Sequence, residues 1–417
     1  MTKLSLKKLL QKKDNKKLIG NFSSLLSIRL INIMQPLVVL PYLTKTLGPE
    51  MYGLVAFAQA FIIYFRFIIN YGFNLSATRD ISVNREDPMK VNSIFNNAFT
   101  AGILLAVLSY LILVPVVLLI PKFQSEWQLY ILSSAILIGE VLFPIWYFQG
   151  IEKMQFISYL NIFVKVFFTI LIFLFIHEKE DYLYVPFLLG LGHAIAGIIA
   201  ILIIVTKFRV KFRIAPLKDV FRILKEGNAA FISIYTPNLY IASSTFFMGL
   251  FTNNTITGYY SATTKITDYF TTVIRIVGQT FFPHVSKKKK AYPKFILIIL
   301  LAGSIFTIFV LAARGLLVNL LLSDEFKIVK TYLLLLSFNI FITAFNIGFG
   351  RNFLLTIMKD KLLRNINIII SLLGVGIIYL GVSLFQVWGG ITAMVLTRLI
   401  FSIVYIIYYQ KYKSKLQ

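Results

Sequence analysis

The sequence predicts an all-α integral membrane protein of about twelve transmembrane helices, arranged as two parallel six-helix lobes around a central cavity. Three observations carry this expectation. The 417-residue chain is 58% hydrophobic and only 14% charged, with a mean hydropathy of +0.79, a balance that water-soluble domains of this size do not hold. A walk along it finds about twelve apolar runs near the roughly 20 residues needed to cross about 30 Å of hydrocarbon. A faint internal repeat divides those runs into two sets of six.

The first six spans are expected near 19–43, 52–75, 91–120, 127–149, 157–176 and 183–206, and the second six near 228–251, 258–282, 295–317, 328–350, 366–385 and 391–409. Residues 1–17 form a basic cytoplasmic tail, residues 18–206 an N-lobe, residues 207–226 a basic inter-lobe linker, residues 227–410 a C-lobe and residues 411–417 a second tail. The tail leucines Leu6, Leu9 and Leu10, set among lysines, suit either a short helix on an anionic surface or a disordered basic segment. The run after the tail is too long for a signal-peptide core, so it is expected to stay attached.

Gly53 and the pair Tyr64-Phe65 recur as Gly258 and Tyr269-Phe270, all offset by 205 residues, and Gly20-Asn21 recurs as Gly227-Asn228 at 207. Because six spans is an even number, such repeats run parallel, related by an axis along the membrane normal.

The net charge of +25 suggests nucleic acid only if a soluble fold presents it, and no such fold is visible. About thirty basic residues crowd into one set of loops and tails against about five in the opposite set. With an even number of spans, that bias puts both termini in the cytoplasm. The outer loops are too short to fold into a catalytic domain, which disfavours a membrane glycosyltransferase or polymerase. There is no cysteine, His177-Glu178 lacks the second histidine of a zinc helix, His193 and His284 look isolated, and no ATP-binding phosphate loop is present. Neither cofactor nor metal is expected.

An ionisable side chain at mid-span costs about 2.5–3.5 kcal/mol on insertion scales, so each one needs a reason. Arg29 lies ten residues into the first span, about 15 Å deep at the helical rise. Gln59, Arg66 and Asn70 fall on one face of the second span, and Lys265, Asp268, Thr272, Arg275 and Gln279 on one face of the eighth. Bland readings stand beside these: Arg275 could snorkel to the nearer boundary, Asp268 could neutralise Lys265 one turn away, and Arg314 suits an interfacial anchor. Glu140, Lys165 and Arg398 are also buried by position and rank second, as interhelical partners or further cavity charges. Taken together, cations in spans one, two and eight with few acids predict a cationic cavity for an anionic passenger. Arginine in particular suits phosphate, through bidentate contacts.

Several motifs carry a resemblance. They are Asn21-Phe22-Ser23, Pro41-Tyr42-Leu43, Leu47-Gly48-Pro49, Tyr52-Gly53 followed by Ala56 to Ala60, the more specific Tyr71-Gly72-Phe73-Asn74-Leu75-Ser76-Ala77-Thr78-Arg79, the stretch Trp146 to Met154, Gly258-Tyr259-Tyr260-Ser261 and Phe281-Phe282-Pro283. In these the chain resembles bacterial flippases that export lipid-linked O-antigen or capsule repeat units, part of the superfamily that includes multidrug extruders and lipid II flippases. The resemblance implies two six-helix lobes and a location in the bacterial inner membrane. It implies alternating access that carries an isoprenoid-diphosphate-linked oligosaccharide outward, with Arg29, Arg66, Lys265 and Arg275 meeting the diphosphate. A proton or sodium ion is the expected coupling ion, membrane lipids and a polysaccharide polymerase are expected partners, and a monomer is the expected transport unit. Asn70 departs from the pattern, since relatives often carry aspartate before this Tyr-Gly-Phe-Asn signature. The rivals are a multidrug extruder of the same fold, which predicts acids in the cavity, the membrane enzyme disfavoured above, and a channel.

Overall fold

The computed structural model describes the backbone of residues 3–416 and the side chains of residues 34–416. The side chains of the basic tail and of Arg29 lie outside the described residues. Among those described, the chain is helical with no strand, as the bilayer requires of a backbone with no water to satisfy its polar groups. The first half comprises α1 (Lys3–Asn70), α2 (Ser76–Val83), α3 (Pro88–Leu119), α4 (Pro121–Gln124), α5 (Trp127–Ser133), α6 (Ala135–Leu142), α7 (Ile145–Gly150), α8 (Met154–Phe175) and α9 (Tyr184–Thr206). The second comprises α10 (Leu217–Phe251), α11 (Asn254–Lys287), α12 (Tyr292–Leu321), α13 (Val329–Leu336), α14 (Phe338–Phe345), α15 (Asn352–Thr356) and α16 (Asp360–Tyr412).

Among the described residues, eight stretches are long and apolar enough to cross a membrane. The difference from the expected twelve has local causes. α1 and α16 each hold two expected spans, broken at Gly48 (φ 67°) and Gln386 (φ 49°). Around Gln386 the chain doubles back: a Cβ on Gly389 would lie 1.8 Å from the Gly381 carbonyl oxygen, and one on Gly374 would lie 2.5 Å from the Thr397 side chain. The two arms therefore run antiparallel in close contact. α10 and α11 are helices of 35 and 34 residues that fall outside the eight, because charged and hydroxyl side chains dilute their apolar character.

Helix ends follow ordinary chemistry. Asp87 caps α3 by accepting from the Met89 and Lys90 amides, with Pro88 behind it, and Asn253 caps α11 by accepting from Ile256. Pro144, which has no amide hydrogen, marks the break between α6 and α7. A π-helical turn, Asn346–Arg351, separates α14 from α15, and such turns gather at sites of side-chain insertion.

The chain divides into two compact units. The first contains Met1–Val39, Tyr64–His177 and Leu183–Phe231, and the second Leu40–Ile63, Glu178–Tyr182 and Ile232–Gln417. These differ from the expected lobes in that Leu40–Ile63 and Glu178–Tyr182 group with the C-terminal helices.

In the first unit an aromatic core joins Phe95, Trp146, Tyr147, Phe148 and Phe208, with ring centroids 5.4–6.4 Å apart along the chain of contacts. The Tyr71-Gly72 motif ends α1: both residues have positive φ (36° and 75°), and a Cβ on Gly72 would lie 2.6 Å from the Phe231 amide nitrogen. Tyr71 stacks on Phe231 at 4.9 Å. The signature most specific to the family resemblance is thus a turn whose second position, Gly72, no side chain could occupy without strain.

In the second unit, Gly53 and Gly258 cross at van der Waals limits. A Cβ on Gly53 would lie 1.8 Å from the Asn254 carbonyl oxygen, and a Cβ on Gly258 would lie 2.0 Å from that of Pro49. Asn254 stands 205 residues after Pro49, as Gly258 does after Gly53, so the repeat exchanges the two halves of this contact. Nearby, Phe326 receives the edges of Tyr52 and Tyr259 at 6.0 and 5.5 Å, and the Ser323 hydroxyl donates to the Thr44 carbonyl at 3.2 Å. These contacts explain why Leu40–Ile63 groups with the second unit.

Candidate anion-handling sites within the helices

Two polar clusters, one in each unit, are built inside the helices, and they differ in kind. In the first unit Arg66 and Asn70, one turn apart on α1, converge on Glu140 of α6. Arg66 donates through Nε to one carboxylate oxygen at 2.9 Å, and Asn70 donates through Nδ2 to the other at 2.6 Å. The Asn70 amide also reaches the Arg66 carbonyl at 3.2 Å. The expected helical face therefore exists, but its two inner members are held by a carboxylate 70 and 74 residues away. An aspartate at position 70 would offer Glu140 a second negative charge in place of a donor, which accounts for the asparagine here. Gln59, expected on the same face, is half-buried and belongs to the second unit.

His193 on α9, which looked isolated in sequence, packs against this cluster: a Cβ on Gly139, the neighbour of Glu140, would lie 2.5 Å from that of His193. Its ring bonds the Leu189 carbonyl at 2.9 Å, with Arg66, Glu140 and Lys165 within electrostatic reach. Lys165 on α8 donates to the Gln35 side chain at 3.2 Å. Glu140 is the centre of the arrangement, although its position in sequence ranked it second. Only the contact across 74 residues reveals that role, and no local spacing announces it.

In the second unit, Arg275 on α11 donates through Nη2 to Thr271 Oγ1 at 2.9 Å and stands 3.9 Å from Asp268. Lys265 is exposed, and it is Arg275 whose nitrogen approaches the Asp268 carboxylate. Thr271, which the face count over Thr272 passed over, is buried and forms the bond; the i,i+4 relation to Arg275 was its signal. Thr272 is half-buried and Gln279 exposed.

Arg398 on α16 is 7% exposed. It donates through Nη1 to the Asn339 carbonyl at 3.4 Å and to Thr343 Oγ1 at 3.1 Å, while its Nε meets no partner. Asn346 in the π-turn donates to the Arg398 carbonyl at 3.1 Å, so the expected interhelical role is met by neutral groups. Within electrostatic reach of Arg275 lie Asp268, Arg398, Arg351 and Tyr240, three guanidiniums in all against one carboxylate. Such a group favours phosphate oxygens, which take guanidinium in bidentate fashion.

Residues 18–289, more than half the chain, match the polysaccharide biosynthesis protein family. Among curated proteins, the chain is 28% identical over 375 residues to the Escherichia coli (strain K12) protein named "Putative O-antigen transporter", covering 88% of this chain and 90% of that one. A Shigella dysenteriae protein of the same name is 30% identical over 256 residues, covering 61% and 64%. Among solved structures, an inward-facing multidrug resistance transporter of the MATE family aligns with a TM-score of 0.68 at 14% identity, covering 93% of this chain and 95% of that one. The lipid II flippase MurJ in an inward closed conformation aligns with a TM-score of 0.68 at 13% identity, covering 95% and 87%. At such identities these structures speak to the fold alone. The match over residues 18–289, read with the shared transporter fold, identifies this chain as a member of the polysaccharide biosynthesis protein family.

Proposed function

We propose that the chain is a flippase and not an enzyme, moving isoprenoid-diphosphate-linked oligosaccharide repeat units from the cytoplasmic to the outer leaflet of the bacterial inner membrane for surface polysaccharide assembly. The family, the named relatives and the transporter fold support this reading. The observation that carries it is the excess of guanidinium around Arg275, since Arg275, the buried Arg398 and the exposed Arg351 face a single carboxylate, Asp268, within electrostatic reach, a balance that suits an anionic passenger. In this reading Arg275 and Lys265 meet the diphosphate, with Arg29 and Arg66 as further cations. The lipid tail stays in the bilayer. Both termini face the cytoplasm, a proton or sodium ion is the coupling ion, the transport unit is a monomer and a polysaccharide polymerase is a downstream partner.

Moving a diphosphate of about two negative charges out of a negative interior gains on the order of 4–5 kcal/mol per 100 mV.

The test is transfer of an isoprenoid-diphosphate oligosaccharide in proteoliposomes, with and without an inside-negative potential, beside efflux of a cationic dye. Movement of the lipid-linked sugar, quickened by the potential and unmatched by dye, is the expected result. Movement of the dye alone would overturn the reading in favour of a drug exporter.

A further inference from the structure

A second basic site lies in the first unit, away from the helical clusters. After α9 the chain turns through Arg209, whose φ is +55°, into an extended stretch. α3 holds that stretch in register with three side chains one turn apart. Asn92 accepts from the Lys211 amide at 2.6 Å, Asn96 accepts from the Arg213 amide at 3.0 Å and donates to the Lys211 carbonyl at 2.9 Å, and Thr100 accepts from the Ala215 amide at 3.1 Å. A helix face is thus used as the pairing edge for an extended segment. Alternation along the extended part puts Lys211 and Arg213 on one side, and the turn at Arg209 brings its side chain to the same cleft.

All three line a cleft of about 610 Å³, completed by Arg85 and Lys153. No carboxylate lines it, although Glu86, Asp87 and Glu152 adjoin lining residues in sequence and Glu152 is ion-paired with Arg85. Beneath the cations the walls are apolar, with Ile151, Phe208 and Val210. At its edge Met89 is 83% exposed, and Ile214 and Phe221, on and after the same stretch, are 80% and 62% exposed, surface that hydrocarbon would cover and water would not. Five cations over an apolar floor, three of them arginines with planar forks, fit a phosphodiester that arrives with acyl chains attached.

We propose that this cleft binds the headgroup phosphate of an anionic membrane phospholipid, and that the clamp of Asn92, Asn96 and Thr100 exists to present Arg209, Lys211 and Arg213 to it. The bound lipid would tie the basic connector 207–226 to the membrane surface. This inference does not depend on what the protein transports.

The test is native mass spectrometry of the full chain in detergent with added phosphatidylglycerol or phosphatidylcholine. Phosphatidylglycerol should be retained over phosphatidylcholine, and Lys211→Gln/Arg213→Gln should lower that retention by about fivefold or more for each charge removed. Asn96→Ala keeps all five cations and frees the stretch; a loss of about threefold or more is expected if register matters. Unchanged retention in Asn96→Ala, or an equal loss in Lys288→Gln/Lys289→Gln on another basic loop, would reduce the effect to diffuse attraction and overturn the site. Displacement of phosphatidylglycerol by millimolar inorganic diphosphate would overturn it in favour of a soluble anion, and preferential displacement by an isoprenoid diphosphate would reassign the cleft to the transported lipid.

Discussion

The charged groups carried on the helices of the two compact units use the same chemistry to opposite ends. In the first unit Arg66 and Asn70 close on Glu140, both carboxylate oxygens are bonded, and the ion pair is already satisfied before any ligand arrives. In the second, Arg275 leans on a hydroxyl with its carboxylate at 3.9 Å, and Arg398 is bonded only to neutral groups. An arginine with a close acid spends part of its charge on that acid before any passenger arrives. An arginine supported mainly by hydroxyls and carbonyls keeps more of its charge for an anion. The number of intramembrane cations, by itself, does not separate these two roles.

The sharpest break of that contrast is Glu140→Ala, which leaves Arg66 and Asn70 without their acceptor in a half-buried site. It should destabilise the detergent-solubilised protein by about 2–3 kcal/mol, less than for a fully buried pair because the exposed part of Arg66 is screened, while Glu140→Ala/Arg66→Met recovers most of the lost melting temperature. Arg275→Ala should do the reverse. Melting should change little, but transfer of lipid-linked sugar should fall roughly 10- to 100-fold, the worth of a charge-assisted bond of about 1.5–3 kcal/mol. Normal transfer by a well-expressed Arg275→Ala protein would remove the proposed role. Asn70→Asp turns a donor into an acceptor facing Glu140 and should cost about 1–3 kcal/mol; adding Glu140→Gln exchanges donor and acceptor across the contact and should restore the loss. The smallest effect belongs to Lys265→Gln, expected to slow transfer by about two- to threefold, as fits an exposed charge.

Much of the fold was legible because lipid imposes length and composition on every span. The 205-residue repeat was legible too, and the crossing of Gly53 with Gly258 gives it a physical meaning. The spans expected at 228–251 and 258–282 are long helices, α10 and α11, but their polar faces leave them outside the stretches apolar enough to cross a membrane. Less legible were features set by distant contacts. Glu140 became central only through partners 70 and 74 residues away, and His193 through the close approach of Gly139. The Tyr71-Gly72 signature and the Trp146-Tyr147-Phe148 run were recognisable as family motifs. Their work, a left-handed turn and an aromatic core, is architectural, and no periodicity announces that. Arg29, the deepest expected cation, lies outside the described side chains.

The reciprocal contact of Pro49 and Gly53 with Asn254 and Gly258 also bears on ancestry. A contact whose halves exchange under the repeat is what two identical half-length chains would make across a dimer axis, each presenting one glycine to the other's backbone. In such a dimer one substitution alters both halves at once, so drift is punished twice. Once the halves are fused into one chain, each glycine mutates alone, yet neither gains room, because the atom opposite is a main-chain carbonyl that no change of side chain can move aside. At this crossing, then, neither glycine can take a side chain unless main chain moves.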